Sequence, residues 1–161
     1  PPQIGRYKVA HIKRNVTTGV DRAGLDAAME LGIATGGWCP AGRRASDGVM
    51  PERYNTLKET KARSYSVRTG WNVRDSDATL IINAGELEGG TELTVKYAEG
   101  QGKPHLVVQL EDDQAVERVR EWLLDVHPAV LNVAGPREEK RPGVQEQATE
   151  LLVSVLREGM E

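Results

Sequence analysis

The sequence is poor in the residues that build disulfide scaffolds, aromatic cores and membrane spans. Its 161 residues include one cysteine and no phenylalanine, and aromatic residues make up 4% of the chain. A single cysteine cannot form an intramolecular disulfide or a cysteine-rich zinc site. No stretch approaches the roughly 18 apolar residues of a membrane-spanning helix, and the string PPQIGRYKVAHIKRN lacks the apolar region of a signal peptide. These absences predict a cytoplasmic protein with no membrane partner.

A surplus of positive charge is also missing. Lysine and arginine number 21 against 24 aspartate and glutamate residues, which gives a formal net charge of -3. Such a chain has no global basic field to attract nucleic acid, so any anion has to be bound by a local cluster of charge. We therefore predict no nucleic-acid partner. The length and the 39% hydrophobic content predict a single domain over residues 1–161.

What the sequence does contain is an alternation of short apolar runs with segments of helical periodicity. The predicted strands read YKVAHI, IATG, ATLIINA, HLVVQL and AVLNVAG. The predicted helices cover about 21–32, 63–73, 91–102 and 114–126, with a last helix that buries Leu151, Leu152, Val155 and Leu156. This pattern predicts an α/β fold with a Rossmann-like, doubly wound and mostly parallel sheet of about five or more strands.

Ligands of such sheets bind at the carboxyl ends of the strands, where the loops after the first, second, third and fifth predicted strands are expected to meet. In the third of these loops, EGGTE, Gly89 and Gly90 precede a helix whose first N–H groups and dipole favour an anion. Thr91 is the expected N-cap or a hydroxyl that contacts phosphate. Ordinary turn chemistry is the alternative interpretation of the same residues.

The second loop contains the unusual string GGWCPAGRRASDG, residues 36–48, and is expected to extend to about residue 60. A nucleophilic Cys39 needs a base and a lowered pKa. Because none of the 3 histidines stands in a matching motif, we predict a packing thiol instead. Arg43 and Arg44 are suited to clamping a phosphate or oxyanion through charge-assisted hydrogen bonds. Solvated loop charge is the alternative for both arginines.

Four strings carry a resemblance to a known family: TGVDRAGLDAAMELGI, GGWCPAGRRASDG, RTGWNVRDSDATLII and GGTELTVKYAEGQGKPHLVV. In this order and at these spacings, the chain from about Thr18 to the string VLNVAGPRE resembles the putative molybdenum carrier family, also called molybdenum-cofactor carrier proteins. The resemblance implies a Rossmann-like, usually oligomeric subunit of the superfamily that includes the lonely-guy phosphoribohydrolases. It also implies binding of the molybdenum cofactor, a phosphorylated pterin that carries a molybdenum oxyanion.

The chain departs from the family pattern at two places. Members begin with a glycine-rich SGGQTG before the DR pair, whereas this chain reads RNVTTG, which makes a close approach of the backbone to a phosphate less favourable there. Members also carry glutamate before the tryptophan of RTEWNV, and here Gly70 takes that position. A glycine inside a helix is expected to weaken it by up to about 1 kcal/mol.

The resemblance to a pterin carrier gives three further segments a candidate role. Asp75 and Ser76, with Asp77 beside them, either cap a turn or contact the pterin nitrogens. Trp38 either stacks on the pterin or packs in the core. Arg137 follows the last predicted strand, where it either guards the mouth of the pocket or pairs with a neighbouring glutamate.

The sequence thus predicts a non-catalytic binding and storage protein for the molybdenum cofactor, a homo-oligomer of two or four chains. The phosphate of the cofactor, or of another phosphorylated small molecule, is expected to lie against residues 89–91 together with Thr18, Gly19 and Arg22. The positive charge is expected from Arg43 and Arg44.

Two alternatives stay open. A nucleotide-binding or nucleoside-monophosphate phosphoribohydrolase activity is suggested only by the likeness to the superfamily, and Glu92 directly after Thr91 stands at the wrong step of the helix for its catalytic glutamate. A structural subunit that binds no ligand is the third possibility, because the string RNVTTG has lost glycines.

Overall fold

The computed structural model describes residues 8–10, 20–33, 35–36, 38–40, 44–45, 48–49, 58–60 and 65–160. The helices are α1 (Val20–Leu31), α2 (Tyr65–Arg74), α3 (Gly89–Gly100), α4 (Ala115–Val126) and α5 (Val144–Met160). The strands are β1 (Lys8–Ala10), β2 (Thr35–Gly36), β3 (Trp38–Pro40), β4 (Arg44–Ala45), β5 (Gly48–Val49), β6 (Lys58–Thr60), β7 (Ala78–Asn83), β8 (His105–Gln109) and β9 (Val130–Ala134). The predicted alternation of strands and helices is confirmed.

Five of the strands form one sheet in the order β2-β1-β9-β7-β8, and every pairing in it is parallel. Only β7, β8 and β9 are full strands, of 6, 5 and 5 residues. The expected parallel sheet is confirmed, but the expectation of five or more full strands is corrected to three, with two short segments beside them. The segment β2 has 2 residues, Thr35 and Gly36.

The segment expected to be one long loop contains short paired strands instead. Strand β3 pairs with β6 in parallel, so that Cys39 lies opposite Glu59, and β4 pairs with β5 in antiparallel fashion. Neither pair belongs to the main sheet. Trp38 and Cys39 are therefore positioned by backbone pairing to β6, which the glycines and prolines of the string did not suggest.

The helices lie on both faces of the main sheet. The chain passes from β7 to the edge strand β8 through α3, and returns across β7 to β9 through α4. Right-handed crossovers in opposite directions place these two helices on opposite faces. Helix α5 packs against α1 and α4 on one face, and α2 packs against α3 on the other. The sheet is therefore doubly wound, as predicted.

The two faces differ in polarity. Leu80 and Ile82 point toward α1, α4 and α5, and lie in the apolar core with the predicted C-terminal helix residues, all of which are buried. Burial of each such side chain contributes roughly 1.5–3 kcal/mol. The helices α2 and α3 and the strands beneath them bury polar side chains instead: Thr69, Asn72, Thr79, Asn83, Thr91, Thr94 and Asn132. The apolar face holds the fold together, while polar groups extend under the other face toward Asn83 and Thr91.

Gly70, the departure from the family pattern in α2, has a packing role. A Cβ at this position would lie 3.0 Å from Cε1 of Tyr97, so the tyrosine ring of α3 packs directly on the α2 backbone. Across the same contact, the side-chain amide of Gln101 donates to the Gly70 carbonyl at 3.1 Å. The absent side chain thus allows close packing of two helices, which offsets the low helix propensity of glycine.

Candidate functional site

The order of the strands identifies the edge where a ligand is expected. Counted from β7, the strands β7, β8, β9, β1 and β2 lie in the order 2-1-3-4-5 across the sheet. This is the flavodoxin-like order, in which the direction of winding reverses between the first and third strands. The reversal therefore lies between β7 and β9, and ligands of such sheets bind in the crevice at the carboxyl ends of these two strands.

The loop that leaves β7 toward α3 is shaped by two glycines with positive φ. Gly85 has φ 83° and Gly89 has φ 54°, values that residues with a Cβ adopt only under strain. The Asn83 side-chain amide donates to the Gly85 carbonyl at 3.0 Å, and the Gly85 N–H donates to the Glu111 carboxylate at 3.2 Å. The loop is therefore held from both sides before the chain enters α3.

Helix α3 begins at this edge without a side-chain cap from Glu88, its N-cap residue. The N–H of Glu92 donates to the Glu88 carbonyl at 3.3 Å, and the N–H groups that precede Glu92 are those an α-helix leaves without an acceptor of its own. Thr91, expected as the N-cap, instead lies inside the first turn, because the helix begins two residues earlier, at Gly89. Its side chain is buried there with 6% exposure. The predicted residues 89–91 thus lie together at a helix start that is suited to an anion.

The loop from β9 to α5 brings two cations to the same place. The Arg141 guanidinium donates through Nε to the Ala84 carbonyl at 2.8 Å and lies 3.5 Å from the Glu88 carboxylate. The Lys140 ammonium nitrogen lies 3.3 Å from where a Cβ of Gly89 would stand. Sequence reasoning missed both residues, although the string EEKRPG follows a predicted strand and would have marked them as candidates at the carboxyl edge.

Arg137 lies in the same loop, and the ion pair with a neighbouring glutamate, given above as the alternative for it, is not formed among the described residues. Its Nε is buried, with no hydrogen-bond partner among the described residues. Glu138 instead accepts from the N–H groups of Gly143 and Gln145, at 2.5 and 3.0 Å, and so caps the start of α5. Arg137 therefore stays a candidate for the mouth of the crevice.

Helix α1 reaches this edge through a backbone contact. The Val20 N–H donates to the Pro136 carbonyl at 3.1 Å. A Cβ on Gly135 would lie 2.2 Å from the Ile82 carbonyl oxygen, so the ends of β7 and β9 and the start of α1 meet with no room for a side chain. Arg22 is buried in the first turn of this helix, with 8% exposure. Arg22 thus lies in the first turn of a helix that begins at this edge, and its expected contact with the phosphate stays a prediction.

Asp75 and Ser76 lie at the amino edge of the sheet, opposite the ligand edge, so the alternative in which they contact the pterin is corrected. Asp75 pairs with Arg74 at 2.8 Å, which raises the pKa of that guanidinium, and Ser76 Oγ donates to the Asn72 carbonyl at 2.7 Å. Asp77 accepts from the Val130 N–H at 2.8 Å. These residues close the junction between α2 and β7, which is the turn-capping role given as the alternative.

The remaining predicted residues are not tested by side-chain geometry. Thr18, Gly19 and Arg43 lie outside the described residues. Trp38 and Arg44 are described through their backbone alone, as members of β3 and β4. The clamping role of Arg43 and Arg44 and the stacking role of Trp38 therefore stay predictions.

Beside the crevice, on the face of α4 and α5, lies an acidic cleft of ≈ 550 Å³ that includes Glu111, Asp112, Asp113 and Glu150. The Asp112 pKa is held below its ordinary value by a hydrogen bond from the Gln114 N–H and by the Arg118 guanidinium. Among the described residues, no group of three histidine, cysteine or acidic side chains could hold a metal ion. Because carboxylates line this cleft, an anion is better placed on the α3 side of the edge.

No helix in the described parts of the chain is long and apolar enough to cross a membrane.

Comparison with known proteins agrees with this topology. Residues 16–156 match the model of the circularly permutated YpsA SLOG family. The crystal structure of a protein from Syntrophus aciditrophicus SB, named putative molybdenum carrier protein, is similar with a TM-score of 0.86 and 40% sequence identity over 96% of both chains. No curated protein gives a significant match. The predicted resemblance is confirmed, and the circular permutation agrees with a strand order that becomes regular when counted from β7. The chain belongs to the circularly permutated YpsA SLOG family.

Proposed function

We propose that this chain is a binding protein that holds the phosphate of the molybdenum cofactor at the start of α3. The observation that carries the proposal is the position of Lys140, whose ammonium nitrogen lies 3.3 Å from where a Cβ of Gly89 would stand. A cation from one loop of the crevice thus reaches the N-terminal residue of a helix that begins in the other.

The electrostatics of the two loops favour an anion next to Lys140. Arg141 is engaged with the Ala84 carbonyl and the Glu88 carboxylate, so its charge is balanced within the protein. Lys140 has no ion-pair partner among the described residues. A phosphate between its ammonium group and the α3 N-terminus would gain charge-assisted hydrogen bonds and the favourable field of the helix dipole.

The glycines give the phosphate access to the backbone. A side chain on Gly89 would project toward the Lys140 nitrogen and occupy the space between it and the helix. The positive φ of Gly89, 54°, turns the chain into α3 without such a side chain. Phosphate-binding loops of doubly wound folds use glycine at this position for the same reason.

The identity of the ligand is supported by the name of the similar protein from Syntrophus aciditrophicus SB and by the resemblance of the sequence strings. The described residues account for the phosphate end alone. The oxyanion end of the cofactor is assigned to Arg43 and Arg44, whose guanidinium groups suit an oxyanion.

The test is native mass spectrometry with metal analysis of the protein purified from its own host. We expect molybdenum and a pterin-sized adduct at about one per chain. Lys140→Gln should lose most of the adduct, because it removes the charge and leaves the fold intact. Lys96→Gln is the matched control, since this lysine lies later in α3 with a side chain 69% exposed and 3.2 Å from Glu92.

Equal retention by the Lys140→Gln variant and the wild type would contradict the proposed phosphate position. A retained nucleotide, together with release of free base from nucleoside monophosphates, would favour the phosphoribohydrolase alternative. That activity finds no support in Glu92, which is exposed and paired with Lys96. A protein that carries neither ligand would leave the structural subunit as the remaining alternative.

A further inference from the structure

We propose that Arg141 is a positioning residue of the phosphate site, because it holds the Glu88 carboxylate away from Lys140 and from the start of α3. This role rests on the proposed function, since it concerns the same site. Glu88 directly precedes Gly89 in the chain, and the Lys140 ammonium group lies against that glycine. The Glu88 carboxylate is therefore an anion of the protein itself, close to the position assigned to the phosphate of the ligand.

All three nitrogens of the Arg141 guanidinium are engaged within the protein. Nε donates to the Ala84 carbonyl at 2.8 Å, Nη1 donates to the Lys140 carbonyl at 3.0 Å, and Nη2 lies 3.5 Å from the Glu88 carboxylate. The donors of a guanidinium form a rigid planar fork, so the two bonds to carbonyl groups fix the direction of Nη2. The guanidinium is thus directed at the Glu88 carboxylate by the backbone of two different loops.

The loop between β7 and α3 leaves room for both cations. A Cβ on Gly85 would lie 3.3 Å from Arg141 Nη2 and 3.6 Å from Nε, and the φ of this glycine is 83°, a value that disfavours any side chain. Gly89 stands in the same relation to the Lys140 nitrogen, at 3.3 Å. Each of these glycines thus faces one cation of the loop between β9 and α5, and Glu88 has a second cation near it besides Arg141.

A Glu88 carboxylate released from Arg141 would compete with the phosphate. The helix dipole stabilises a carboxylate near a helix N-terminus, and the Lys140 ammonium group would stabilise it further. Within the described start of α3, however, the Glu88 side chain makes no cap hydrogen bond, although Glu88 is the N-cap residue. The pairing with Arg141 accounts for this and keeps the carboxylate away from the position assigned to the phosphate.

The first turn of α3 contains a buried hydroxyl that a phosphate would satisfy. Thr91 is 6% exposed, and its side chain makes no hydrogen bond with any residue that the structure describes. Folded proteins usually provide a partner for such a buried group. A phosphate beside Lys140 would accept a hydrogen bond from the Thr91 hydroxyl, which makes the exclusion of the protein's own carboxylate from this position useful for binding.

The test is a titration with inorganic phosphate at about 0.15 M salt, followed by the amide NMR signals at the start of α3. We expect Arg141→Gln to weaken phosphate binding about fivefold, the effect of one exposed charge pair, because Glu88 then pairs with Lys140. Glu88→Gln alone should change the affinity by less than about twofold. The variant with both substitutions should bind within about twofold of the wild type, although it also lacks the bond to the Ala84 carbonyl.

Arg118→Gln is the matched control, since this arginine pairs with Asp112 at 3.0 Å at the same edge of the sheet and is exposed to a similar extent. It should leave the affinity unchanged, and circular dichroism checks that every variant is folded. A double variant that binds as weakly as Arg141→Gln would overturn the proposal, because Arg141 would then act through its own charge.

Lys140→Gln separates this role from the proposed function. A phosphate titration that Lys140→Gln does not weaken overturns the proposed phosphate position, and the role of Arg141 with it. A titration that depends on Lys140, but in which the effects of the Arg141 and Glu88 substitutions simply add, overturns the role of Arg141 alone.

Discussion

Gly135→Ala is the substitution with the largest expected cost at the carboxyl edge. The added Cβ would lie 2.2 Å from the Ile82 carbonyl oxygen and 2.7 Å from Cβ and Cγ2 of Val20. A carbon and an oxygen normally approach to about 3.3 Å, so the ends of β7 and β9 have to separate by roughly 1 Å. Neither neighbour can yield, since one is backbone of a central strand and the other a fully buried branched side chain.

We expect Gly135→Ala to lower the free energy of unfolding by about 3 kcal/mol, the upper part of the usual range for overpacking. For a chain of this size that corresponds to a fall in Tm of roughly 6–12 °C. Gly100→Ala is the matched control, because its Cβ would meet nothing within 4 Å. Differential scanning calorimetry of both variants provides the measurement. A Gly135→Ala variant that melts within about 2 °C of the control would refute the close approach of β7, β9 and α1.

Two further predictions concern a buried hydroxyl and a carboxylate. Thr69 is 1% exposed and its Oγ1 has no hydrogen-bond partner among the described residues, so Thr69→Val should raise Tm by about 2–4 °C. Thr94→Val removes a 2.9 Å hydrogen bond to the Gly90 carbonyl and should lower Tm. The same change in Tm for the Thr69→Val and Thr94→Val variants would count against the prediction. Because the folded-state pKa of Asp112 is lowered, its contribution is present at neutral pH and lost as the pH falls through that lowered pKa. The Tm difference between the wild type and Asp112→Asn should therefore shrink below about pH 4, and a difference that stays constant down to about pH 2 would contradict it.

The family and most of the elements could be predicted from the sequence, because their signals are local. Val119 and Leu123 recur at helical spacing in α4, and the run ATLIIN is continuous enough to be a central strand. Side-chain burial follows from such periodicity when one face of an element packs on the core. Gly89 and Gly90, which begin α3, also follow β7 in the chain, as the order of strands and helices in the sequence indicates.

The positions of the charged residues could not be read in the same way. The sequence left open whether Asp75 and Ser76 cap a turn or contact the pterin. They precede β7 and therefore lie at its amino end, where they cap a turn. Lys140 and Arg141 reach α3 only because β9 lies beside β7 in the sheet, although about 50 residues separate them in the sequence. The proximity of two distant loops depends on strand order.

The sequence by itself determined the fold class, the apolar stripes and the glycines at which the chain turns, since each depends on the chemistry of neighbouring residues. The tertiary structure decided which strands are adjacent, and with that which loops share the crevice, which face of the sheet buries polar groups and which strand is left at the edge. Those features depend on contacts between segments far apart in the chain, for which single-sequence periodicity carries no signal.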